Sequence, residues 1–142
     1  MHDVRVFKRR GSNNRGGDDS PGDVYEQLRA IALGAEGSGA LPAASAEHPD
    51  VSGLVVDIPA SGGTATVVAM TDNTTSLYTS TGGGIIGAGA HAAVATATQA
   101  LLTSVQQQFD AFTTGDDGSL PAGGSVRFHV LSERGPRMVD VS

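Results

Sequence analysis

Apolar and β-branched positions between residues 51 and 81 fall into three short runs, and each predicts a strand. Val51–Ile58 is nearly continuous and apolar. Thr64–Thr71 (TATVVAMT) is β-branched, and Thr75–Thr81 (TSLYTST) alternates less cleanly. Pro59–Gly63 joins the first two and Asp72-Asn73-Thr74 the next two, with Asn73 suited to a left-handed turn position. Links this short favour an antiparallel meander. From about Ala90 to Phe112 the period changes: Val94, Ala97, Leu101, Val105, Phe109 and Phe112 recur at spacings of three and four. That is the apolar stripe of a long helix. Val126, Phe128 and Val130 then alternate with Arg127, His129 and Leu131, and a turn through Glu133–Pro136 leads to a last strand near Arg137–Val141.

Upstream, Asp23-Val-Tyr-Glu26 matches a capping box. Val24, Leu28 and Ile31 follow at helical spacing, with Gly34 placed to end the helix. Residues 35–50 read as a connector. Residues 1–22 read as a flexible basic and polar leader, in which Val4–Phe7 alternates and is compatible with an edge strand. The expected architecture is a single α+β domain over residues 23–142. Its element order is α-β-β-β-α-β-β, with about five mainly antiparallel strands and both helices packed on one face. By element order alone this resembles a circular permutation of profilin-like and roadblock-type domains, and order alone implies no activity.

Composition narrows the classes. The 142 residues are 39% hydrophobic and 4% aromatic with no tryptophan, so alanine and valine must fill much of the core. Cysteine is absent, which excludes disulfides and cysteine-based metal sites. No apolar run approaches the ~20 residues of a membrane span, and the N-terminus lacks the apolar core of a signal peptide. A cytoplasmic location without membrane partners is therefore expected. The net charge of −6 is segregated. Arg5, Lys8, Arg9, Arg10 and Arg15 crowd the leader, whereas residues 16–142 hold four arginines against 14 acids. A body that acidic repels a phosphate backbone, which argues against a nucleic-acid partner.

The segment Ser80-Thr81-Gly82-Gly83-Gly84-Ile85-Ile86-Gly87-Ala88-Gly89-Ala90-His91 concentrates glycine between a strand and the long helix. Gly82-x-Gly84-x-x-Gly87 satisfies the dinucleotide pattern. The strand before it closes a meander, however, and no acid ends a second strand about 20 residues on. A simpler anion site is open: amides of Gly87 to Ala90 at a helix N-terminus, hydroxyls from Ser80 and Thr81, and His91 as base, donor or ligand. No lysine or arginine lies in the segment to help. The plainer reading is a connection that lets Ile85 and Ile86 enter the core. His129 falls opposite the Val126–Phe128–Val130 face, at the surface or under a helix. Grouped with His91 and Asp57 it would make a metal or acid–base site. Asp57 is costly if buried unpaired, and so is expected at an edge or against Arg127. No nucleophile elbow, Ser-x-x-Lys or HExxH motif is present.

At Gly63-Thr-Ala-Thr-Val-Val-Ala69, Thr75-Ser-Leu-Tyr78 and Gly82-Gly-Gly-Ile-Ile-Gly87 followed by His91, the chain resembles a small domain recurring in uncharacterised bacterial proteins of actinobacterial, high-GC type. The resemblance spans residues 50–112 and its specific part is the SLY…GGGxIGxGxH order. It implies no activity. With no convergent polar cluster in view, the expected function is a non-catalytic binding or protein-interaction module without cofactor or metal. Such a module would take a protein partner, or pair with itself through a sheet edge or the long helix. The alternative is a small anionic ligand such as phosphate, or a small enzyme, at Ser80, Thr81, Gly82, Gly83, Gly84, Gly87, Gly89 and His91.

Overall fold

A computed structural model describes residues 5–7, 21–34 and 45–141. The elements in chain order are β1 (Arg5–Phe7), α1 (Pro21–Ala32), β2 (Val51–Ala60), β3 (Gly63–Met70), β4 (Thr75–Thr79), β5 (Gly84–Ile86), α2 (Ala92–Gln107), β6 (Thr113–Thr114), β7 (Val126–Ser132) and β8 (Arg137–Val141). They build one sheet of order β1-β5-β4-β3-β2-β7-β8-β6. Every pairing in it is antiparallel. The expected meander forms, with β2, β3 and β4 adjacent in sequence and in space.

The α+β class holds, with more strands than the five expected. Seven have three residues or more, and β6 is a two-residue pairing. The glycine segment contributes one of the extra strands, since Ile85 pairs with Leu77 on one side and Val6 on the other. Arg5–Phe7 is thereby the edge strand that the alternation allowed. Residues 1–4 and 8–20 of the leader, including Lys8-Arg9-Arg10, and residues 35–44 of the connector lie outside the described residues, and the leader's last two, Pro21 and Gly22, open α1. Helix α1 begins at Pro21, so Asp23 sits in its first turn instead of capping it.

The helices do not share a face. Side chains alternate across β2, so Leu54 and Val56 point one way while Val55 and Asp57 point the other. Leu54, Val56 and Val130 pack with Leu102, Val105 and Phe109 around α2. Val55, Val68, Tyr78 and Leu131 pack with Tyr25 and Ala32 around α1. The result is three layers, helix on sheet on helix. A strand buried on both sides reads as a near-continuous apolar run, and Val51–Val56, interrupted only by Ser52 and Gly53, is buried throughout. Burying each such valine or leucine contributes roughly 1.5–3 kcal/mol.

Three α2 side chains fix its middle and its end. Thr98 bonds Thr75 at 2.9 Å. Gln99 donates to the Thr71 carbonyl at 3.1 Å and the Asn73 side-chain oxygen at 2.7 Å. Gln106 accepts from the amides of Asp50 and Val51, both at 2.9 Å. The helix itself carries no charged residue.

Candidate functional site

Asp57 stands mid-sheet on the α1 side of β2, wholly buried. Contrary to expectation, it is neither at an edge nor paired with Arg127. Arg127 does lie directly across from Asp57 in the β2–β7 register. Its guanidinium turns instead to its other cross-strand neighbour, Asp140, at 2.6 and 2.8 Å. The cation on Asp57 comes from above the sheet: Arg29 of α1 donates Nε to Oδ1 at 3.0 Å and Nη2 to Oδ2 at 2.6 Å.

A chain of polar groups closes around this pair. Thr66 Oγ1 donates to Asp57 Oδ1 at 2.7 Å. A hydroxyl has one proton, so Tyr25 must be the donor in its 2.6 Å bond to Thr66. His129 Nε2 lies 2.6 Å from Asp57 Oδ2, and its Nδ1 lies 2.7 Å from Asp116 Oδ2. An imidazole facing carboxylates through both nitrogens donates at both only when it carries both protons. Arg29 and His129, 3.3 Å apart, share Asp57 Oδ2 as their common acceptor.

Burial opposes the Asp57 charge, but the bonds from His129, Arg29 and Thr66 outweigh it and hold the carboxyl well below the usual carboxylate range. Burial also works against the Arg29 charge, and the Asp57 carboxylate more than restores it. The Tyr25 phenol is pushed up, chiefly by burial. Among the described residues no buried side-chain nitrogen or oxygen lacks a hydrogen-bond partner.

Beside this network a cavity of about 690 Å³ opens between α1, the 116–118 loop and the sheet. Ala30, Leu33, Leu120 and Leu131 give it apolar walls. Tyr25, Glu26, Arg29, Thr64, Ser80, Asp116 and Asp117 give it polar ones. The loop is held by its own aspartates: Gly118 N donates to Asp116 Oδ1 at 2.8 Å and Ser119 N to Asp117 Oδ1 at 2.9 Å. The volume lies in the range of small-molecule sites.

Of the glycine-segment residues, Ser80 reaches this cavity; its Oγ accepts the Thr64 amide at 2.9 Å and its own amide donates to the Thr64 carbonyl. Thr81 is exposed. Thr79 Oγ1 bonds the carbonyls of Gly82 and Gly83, and Gly84 opens β5 opposite Tyr78. Gly87 adopts a left-handed conformation, φ 83°, which favours glycine. The amides of Ala90 and His91 close a 3₁₀ turn onto Gly87 and Ala88. Gly89 lies so close to the β3–β4 turn that a Cβ would collide with the Asn73 carbonyl oxygen. His91 is exposed at the start of α2, and its side chain makes no capping bond.

The structure thus unites two members of the His91–His129–Asp57 trio and leaves His91 with the helix on the other face. His129 is opposite the apolar face of β7 and under a helix, as its alternation implied. No group of three or more His, Asp or Glu among the described residues is arranged to hold a metal. Sequence reasoning missed Arg29, Tyr25, Thr66 and Asp116. The available signal was Tyr25 and Arg29 four apart on α1, one face of a helix, above a strand with an unexplained carboxylate. Among the described residues no helix is long and apolar enough to cross a membrane.

No protein-family model, no curated protein and no solved structure matches this chain.

Proposed function

We propose that this chain is a non-catalytic binding module whose ligand lies in the cleft between α1, the 116–118 loop and the sheet. One observation carries the reading: the acid–base groups beneath the cleft are spent on one another. Asp57 accepts from three side chains, and both nitrogens of His129 face carboxylates. A base working on a ligand must reach the proton it removes, and Asp57 and His129 are fully buried. What the network does is hold helix, loop and sheet in fixed relation, which is what a preorganised binding cleft requires.

The test is an amide-shift screen of the labelled chain against a mixed library of small organic ligands. Shifts grouped on residues 25–34 and 116–120 are expected. They should vanish in Ala30→Phe, which fills the cleft from the helix while far-ultraviolet circular dichroism stays unchanged. Shifts grouped on Gly82–His91 instead would move the site to the glycine segment and end this reading.

A further inference from the structure

The charges around the cleft select the kind of ligand, and this inference rests on the cleft being the binding site. All four arginines of residues 16–142 are committed to aspartates. Arg29 holds Asp57, Arg127 holds Asp140, Arg134 holds Asp50, and Arg137 lies 3.6 Å from Asp110. Among the described residues, the cleft therefore offers an anion no unspent cation. Its carboxylates are in excess: Glu26 on α1 and Asp117 on the loop are exposed at its wall, and among the described residues neither makes an ion pair. Asp117 gives one oxygen to the Ser119 amide, and its carboxyl is held below the usual range by that loop. Apolar side chains, Leu33 and Leu120 among them, line the same space.

We infer that the cleft takes a small organic cation, an ammonium or guanidinium group on an apolar stem. The stem lies against the leucines, and the charged head lies between α1 and the loop where Glu26 and Asp117 set a negative potential. Electrostatic complementarity of this kind decides which ligands are admitted more than how tightly they are held.

The labelled full chain is titrated with agmatine, hexylamine and hexanoate, following the amides of residues 25–34 and 116–120. Agmatine and hexylamine are expected to shift these amides saturably, hexanoate to leave them unmoved, and added salt to weaken both cations. The surface variant Glu26→Gln with Asp117→Asn should retain the fold and bind agmatine about tenfold more weakly, the loss of two exposed ion pairs. Hexanoate binding as well as hexylamine, or unchanged agmatine affinity in the double variant, overturns the cation assignment while leaving the cleft as the site. Cation shifts scattered over the acidic surface without saturation overturn it as well. Silence of the cleft amides toward all three probes overturns both the assignment and the cleft.

Discussion

Arg29 grips Asp57 through both carboxylate oxygens, from a helix onto the middle strand of the sheet. The pair is the only charged link between α1 and β2 among the described ion pairs. Asp57 is fully buried while the Arg29 side chain is 12% exposed, so the carboxylate is the member that cannot be left alone. Removing one partner of a buried pair costs far more than the pair itself contributes.

Arg29→Ala is therefore expected to destabilise the fold by about 3–5 kcal/mol, the usual cost of stranding a buried charge. Arg29→Lys keeps the charge but loses the two-point geometry, and should fall between the two. Urea midpoints of the three proteins check the order.

Asp57 also sets the response to acid. Its carboxyl titrates lower in the folded chain than in the unfolded one. The unfolded state therefore binds its proton first as pH falls. The stabilisation is complete above the unfolded value of about 3.9 and drains away as pH drops toward the folded one. Asp50, Asp117 and Asp140 shift in the same direction. The urea midpoint should hold level near neutrality and fall steeply below about pH 4. A flat profile from pH 5 to 2 would contradict the network.

His129→Phe leaves Asp57 short of one donor and Asp116 facing a ring with none. Each stranded group should cost about 1–3 kcal/mol, and amide exchange at Gly118 and Ser119 should quicken as the loop loosens. Arg134→Ala, which breaks the exposed pair with Asp50, should lower the urea midpoint far less. The contrast between these variants separates the buried cluster from an ordinary surface pair.

Gly89→Ala tests whether the glycine segment is packed or open. The added methyl meets the Asn73 carbonyl, so either the turn or the helix start must move. Overpacking of this kind costs about 1–3 kcal/mol. Thermal melts and the exchange rate of the Asn73 amide, which donates to Met70, report it. A variant as stable as the parent would show that the two segments do not touch.

Strands β2, β3, β4, β7 and β8 and both helices were legible because each has its own period, although α2 buries Thr98 and Leu102 where the stripe marks Ala97 and Leu101, which are exposed. Where reading failed, the information was present but non-local. The nearly continuous run Val51–Val56 already describes a strand covered on both sides, and it is incompatible with two helices on one face. Asp57 demanded a cation, and Arg127 was the near one in the sheet. Nothing local says that Arg127 prefers Asp140, because that choice depends on Arg29 arriving from a helix 28 residues away in sequence. Ser80 was singled out for its glycine neighbours, yet it reaches the cleft through its pairing with Thr64. The glycines beside it serve the turn toward β5 and the close approach of Gly89.

The partners of Asp57 also lie at very unequal distances along the chain: 9 residues for Thr66, 28 for Arg29 and 72 for His129. Short loops close early and long ones late, since closure entropy must be met before a distant contact repays it. The β2–β3 hairpin therefore supplies Asp57 with the Thr66 hydroxyl alone, and the carboxylate has no countercharge until α1 and β7 bring the guanidinium and the imidazole. Mutations in the β2–β3 hairpin should act on the speed of folding, while those at the sequence-distant β2–β7 pairing should act on how fast the finished protein comes apart.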